Sequence, residues 1–265
     1  MENFVFYLFY AKMILAFGDV IMEEKEIKQK RKIKIYGIVM GIICFIFQYA
    51  IYRLANAISD GLNISPFSPK IAAIDDLIPV VSIFVIPYLW SYVYWITGPI
   101  VASMSDFKHF LNVMLTYFVA CIIGAIVFVF APSYIDRVAE GVYNRPQNNL
   151  FDWILQIIYD TDGKEIGFNL FPSFHCLLTV ICFLGAFRKK EIPLVFRIYS
   201  FIMMILIFLS TVFTKQHYII DMVGGIGIAL IVWLPVWKFN LGVKVLGRPI
   251  EYFKNKFKKE AKEEE

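Results

Sequence analysis

Charge is scarce in this sequence. Asp, Glu, Lys and Arg make up 18% of its 265 residues, and hydrophobic residues 59%. Soluble domains carry about 25% charged and about 45–50% apolar residues, so an ordinary soluble domain is excluded. Histidine is scarcer still: there are three, His109, His175 and His217. The four cysteines, Cys44, Cys121, Cys176 and Cys182, all sit inside apolar runs, with no CxxC pair and no ligand spacing. They read as small buried apolar residues, and neither a metal nor a cofactor is expected. There is no internal repeat. The first 22 residues have no basic n-region and no A-x-A-like exit, so they do not read as a cleavable leader. The basic runs lie beside apolar segments without interleaved stacking aromatics, which excludes a nucleic-acid partner.

What the chain has instead is apolar length, with a mean hydropathy of +0.64. Six apolar runs stand out: 35–57, 77–104, 110–130, 171–187, 193–213 and 218–237. A span needs enough residues to cross about 30 Å of hydrocarbon, and the fourth run manages this only if its ends snorkel. Pro79, Pro87 and Pro99 are expected to kink the second run. Residues 1–22 carry Glu2, Lys12 and Asp19 within apolar sequence. They suit an amphipathic helix in the interface better than a crossing, though both remain open. The expected fold is all-α: a polytopic membrane protein, with a six-transmembrane-helix bundle plus an N-terminal interfacial helix. Residues 1–34 would form that helix and a charged linker, 35–240 the bundle, and 241–265 a cytoplasmic tail, first basic and then acidic. Nothing in the pattern fixes an oligomeric state.

Topology follows from charge. The basic segments 25–34 and 188–190, and the tail, should all face the cytoplasm. Six spans satisfy this without conflict. The loop 56–76, the long polar stretch 131–170 and the hairpin around Lys215 and His217 then share the opposite face. A loop as long as 131–170 usually bears function. His109 falls on the cytoplasmic side and reads as structural. Asp160-Thr161-Asp162-Gly163 faintly suggests a calcium loop, but an Asx turn fits better.

The polar stretch Thr214–Asp221 interrupts two spans. Ionisable groups there cost about 2.5–3.5 kcal/mol each at mid-membrane, so the cluster is a functional candidate. The bland alternative is a solvated hairpin with its charges among lipid headgroups. His217 and Asp221 are four apart and share a helical face. A carboxylate there fixes the imidazole tautomer and suits a nucleophile or general base. His175 starts a descending span and His217 tops an ascending one, so both should lie at similar depth on one face.

Three stretches carry a resemblance: Asn144-Arg145-Pro146, Pro172-Ser173-Phe174-His175, and Ser210 through His217 to Asp221. Together they resemble the type 2 phosphatidic acid phosphatase superfamily, which includes inositol phosphorylceramide and sphingomyelin synthases. That family's motifs are Lys-x6-Arg-Pro, Pro-Ser-Gly-His and Ser-Arg-x5-His-x3-Asp. Here Arg145-Pro146 closes the first motif, but Val138 stands at its Lys position, with Arg137 one residue out of register. Phe174 replaces the Gly of the second, and Thr211 replaces the Arg of the third. The likeness covers about residues 137–225.

The resemblance implies that His217 is the nucleophile and forms a phosphohistidine, that Asp221 orients it, and that His175 protonates the leaving alkoxide. Arg145, Lys215, Ser173 and Phe174 are the matching candidates for the phosphate site. Arg145 can grip two oxygens as a fork, and Lys215 offers a point charge. Lys215 could equally snorkel to lipid phosphate, and Tyr218 could line the pocket or serve the aromatic belt. The expected partner is a lipid phosphate substrate. The activity implied is a metal-independent lipid phosphate phosphatase of the cell membrane, multi-pass, with its site on the extracytoplasmic face. The alternative is a phosphotransferase delivering the headgroup to a lipid hydroxyl, which the greasier Phe174 favours slightly. A non-catalytic scaffold or transporter stands as a third reading.

Overall fold

The computed structural model describes residues 33–247. The expected interfacial helix at 1–22, nearly all of the charged linker and the end of the tail lie outside the described residues. Within them the chain is mostly helical. Helix α1 (Ile35–Leu62) is followed by the short α2 (Ala72–Asp75), then α3 (Val85–Ala102) and α4 (Phe107–Phe130). Strand β1 (Tyr134–Asp136), helix α5 (Leu150–Thr161) and strand β2 (Ile166–Phe168) come next, then α6 (Phe174–Ala186), α7 (Leu194–Phe213) and α8 (Ile219–Phe239).

Five segments are long and apolar enough to cross a membrane: Ile35–Leu62, Ser82–Ala102, Phe107–Phe130, Leu194–Phe213 and Ile219–Phe239. The expected fourth run instead gives the shorter α6, of 13 residues. At 1.5 Å per residue that is about 20 Å, less than a hydrocarbon core. Ser173 ends it on one side as N-cap and Phe187 leaves helical geometry on the other. A short helix is tolerable here because protein surrounds it: α6 packs against α3, α4, α7 and α8, and most of its residues are buried.

Two further expectations change. The second run is helical only from Val85, after a 3-10 turn at Ser82–Phe84. Pro79 therefore precedes the helix, and Pro87 sits in its first turn, where a missing N–H costs little. Pro99 alone lies inside. The stretch 131–170 is not plain loop. Asn149 caps α5 by accepting from the N–H groups of Phe151 and Asp152, and β1 and β2 pair antiparallel with Ile135 opposite Gly167.

The bundle has two unlike ends. At one, Lys34 donates to the Ser105 carbonyl and Lys189 pairs with Asp106 at 2.8 Å. His109 lies there too, with its Nε2 2.9 Å from the Gly185 carbonyl. At the other end the three segments grouped by topology pack together. Phe67 bridges to Ser133, the Lys215 ammonium donates to the Asp75 carbonyl, and the Tyr159 hydroxyl donates to the Thr214 carbonyl.

Candidate active site

The site is assembled where α6 and α8 begin. The Ser173 N–H donates to the Asp221 carbonyl at 2.9 Å, joining the two starts through main chain. Gly225 allows this approach: a Cβ there would sit 2.3 Å from the Ser173 carbonyl oxygen. Asp221 lies in the first turn of α8, where a carboxylate suits exposed N–H groups and the helix dipole. It accepts from the Tyr218 N–H at 2.7 Å and is fully buried.

His175 and His217 meet, with ring centroids 5.7 Å apart. Both are nearly buried and both line one cavity of about 500 Å³. His217 Nδ1 lies 3.6 Å from the Asp221 carboxylate, as an i,i+4 pair. His175 stacks on Tyr88 at 4.3 Å and meets Trp95 edge-on at 4.9 Å. Those rings fix its plane. Its Nε2 is buried with no hydrogen-bond partner among the described residues, and so is the Nε2 of Gln216.

The remaining site candidates separate. Phe174 lines the cavity and packs on Phe128 at 4.8 Å, its ring filling the hollow over Gly124. A Cβ at 124 would come within 2.4 Å of that ring. Ser173 is fully buried, and its hydroxyl oxygen caps α6 by accepting from the Cys176 N–H. Lys215 is buried, but its ammonium is held by the Asp75 carbonyl at 2.7 Å, and it is not part of the cavity wall. Arg145 is exposed on its loop and does not line the cavity either. Tyr218 is buried elsewhere, donating to Glu140 at 2.9 Å.

Arg53 is the guanidinium in the cavity wall, and Arg137 stands behind that wall, bonded to its residues Asp162 and Gln216. The N–H of Arg137 donates to the Glu165 carbonyl, continuing the β1–β2 pairing. That pairing turns the Arg137 side chain inward, while Val138 is 56% exposed. The one-residue displacement from the motif was the signal for it. Arg137 is fully buried and stands 4.9 Å from the Tyr159 ring centroid. It donates to Gln216 Oε1 at 3.1 Å and pairs with the Asp162 carboxylate at 2.8 Å. Asp162, read from sequence as part of a turn, lines the cavity. Partial burial disfavours its charged form and holds its carboxyl above the usual range, although Arg137 opposes that shift.

The wall against which His175 packs was also missed. Tyr88, Tyr92 and Trp95 line the cavity from α3, and Gln48, Tyr49, Tyr52 and Arg53 from α1. The spacing 88, 92, 95 is one helical face, legible as an aromatic stripe but not as a site. Among the described residues no group of three or more His, Cys, Asp or Glu could hold a metal ion.

A family model described as the PAP2 superfamily matches residues 67–234. No curated protein and no solved structure matches the chain significantly.

Proposed function

The chain belongs to the type 2 phosphatidic acid phosphatase (PAP2) superfamily, and from that premise we propose that it is an integral-membrane lipid phosphate phosphatase working through a phosphohistidine. Membership implies phosphatase or phosphotransferase chemistry. The observation that carries the finer reading is the pair of imidazoles 5.7 Å apart on one cavity. In this reading His217 Nε2 attacks phosphorus, since Nδ1 is turned toward Asp221. The bond from phosphorus to the lipid oxygen breaks, and His175 supplies a proton to that oxygen. His175 then takes a proton from water as the water attacks phosphorus, the bond from phosphorus to His217 Nε2 breaks, and phosphate leaves. Asp221 stabilises the imidazolium that forms on His217. Arg53 in the cavity wall and Arg137 behind Asp162 and Gln216, rather than Arg145 or Lys215, are the cations on hand for the phosphoryl oxygens, and the reaction requires no metal. The six-span arrangement, with α6 as the buried short crossing and residues 1–22 in the interface, belongs to the same proposal. So does the extracytoplasmic site: the cavity lies at the bundle end away from Lys34 and Lys189, and basic ends face the cytoplasm.

The second reading is transfer to a lipid hydroxyl. The aromatic wall of Tyr52, Tyr88, Tyr92, Trp95 and Phe174 favours it, because such a wall excludes water and accepts an apolar acceptor. The test is turnover of a panel of lipid phosphoesters in chelator by the purified protein. Release of phosphate, abolished by His217→Ala, supports hydrolysis. A new phospholipid formed on diacylglycerol or ceramide supports transfer. Full activity of His217→Ala would falsify the assigned nucleophile.

A further inference from the structure

Arg137 is buried behind the cavity residues Asp162 and Gln216, and its two terminal nitrogens are already answered. Nη1 donates to the carbonyls of Asp162 at 2.7 Å and Lys164 at 2.8 Å. Nη2 donates to the Asp162 carboxylate at 2.8 Å and to Gln216 at 3.1 Å. A guanidinium has about five N–H donors, and these contacts account for all but the one on Nε. That Nε is buried without a hydrogen-bond partner among the described residues.

The anion on Arg137 is therefore internal. A carboxylate and two phosphoryl oxygens compete for the same guanidinium edge. The Asp162 side chain is 44% exposed and lines the cavity with Gln216 and His217. It stands where a phosphoryl group offered to His217 would seek its cation. The cations expected from the motifs do not relieve this. Lys215 is held at Asp75, Arg145 is exposed away from the cavity, and Thr211 stands where the motif has Arg. Arg53 lines the cavity, but from α1 and exposed.

We propose that Asp162 is a specificity-determining residue that occupies the anion position on Arg137, so that an incoming phosphoryl group must displace its carboxylate. The inference rests on the reading of His217 and His175 as a phosphoryl-transfer pair. A phosphate with two negative charges is repelled by this carboxylate about twice as strongly as one with a single charge. Asp162 thus narrows the advantage a cationic site would otherwise give to dianions. Displacement leaves Arg137 in place, because the carbonyls of Asp162 and Lys164 and the amide of Gln216 still hold it.

The experiment is calorimetric binding of inorganic phosphate and orthovanadate to the full chain in detergent, comparing wild type with Asp162→Asn. The amide keeps the shape and removes the charge. Binding about tenfold tighter in the variant is expected, with a matching fall in KM and little change in kcat. Unchanged or weaker binding overturns the proposal. Should the variant fail to fold, the wild type alone decides, with methyl phosphate and dimethyl phosphate as probes at pH 8. Affinities within about threefold of each other are expected, and a larger preference for the dianion overturns the proposal. Binding needs no turnover. A protein inactive on every phosphoester, with Asp162→Asn still binding phosphate more tightly, loses the functional reading and keeps this one. An active enzyme without that gain loses this one alone.

Discussion

The main-chain N–H of Ser173 donates to the carbonyl of Asp221 at 2.9 Å, and this one bond joins the helix carrying His175 to the helix carrying His217. The distance between the imidazoles is set by that backbone contact and by what lets it form.

Gly225 is what lets it form, so Gly225→Ala should separate the helices. A Cβ 2.3 Å from a backbone oxygen has no flexible neighbour to displace. The expected cost is about 1–3 kcal/mol of stability. Activity should fall through kcat more than KM, measured by thermal unfolding and steady-state kinetics together. An unperturbed kcat would mean that the helix starts are held by something else.

Asp221→Asn keeps an acceptor for the Tyr218 N–H but removes the charge behind His217. Melting temperature should change little, while kcat falls by about 10²–10⁴. A variant that unfolds without this catalytic loss would make Asp221 a capping residue only.

Arg137 and Arg145 should differ sharply. Arg137→Lys keeps a charge but loses the fork, and kcat/KM should drop by about 10²-fold or more. Arg145→Ala, on an exposed loop, should stay within about twofold. The opposite ranking would return the phosphate grip to the position expected from the motif.

Lys215→Met should behave as a stability variant. It deletes a buried hydrogen bond to the Asp75 carbonyl, which keeps only the longer one from the Ile78 N–H at 3.3 Å, at about 1–2 kcal/mol. KM for the phosphoester should be unmoved if the protein is assayed well below its melting temperature. A raised KM in folded protein would return Lys215 to the cavity.

Alkaline stability should depend on Lys70. Its ammonium bridges Asp76 at 2.6 Å and Glu140 at 2.7 Å. Those two hydrogen bonds, Asp76 first, hold its pKa above the ordinary lysine value. The raised folded-state pKa means the contribution is complete below about pH 10.4. It is then lost as pH rises through the higher folded value. Lys70→Met should flatten that part of the stability profile, read as unfolding midpoint against pH.

Much of the fold was legible because hydropathy reports length directly: the long apolar runs became α1, α3, α4, α7 and α8. The short α6 was harder, since hydropathy does not distinguish a helix buried in protein from one facing lipid. At the site, the spacing of His175, His217 and Asp221 could be read because it follows helix starts and the i,i+4 repeat. Arg137 showed only as a near-miss to the motif's Lys position, and Asp162 not as a site residue at all. Their pairing depends on the turn of β1 and on the end of α5, which local pattern does not set. Arg145 and Lys215 drew attention as cations near motifs, but charge alone does not say which partner a side chain finds.

Phe174 departs from the family's second motif, and the hollow over Gly124 is what admits its ring. The two positions therefore cannot drift independently. A relative that regains glycine at the first residue of α6 gains freedom for a larger neighbour on α4. One that keeps phenylalanine must leave that neighbour bare, so the pair should change together among close kin.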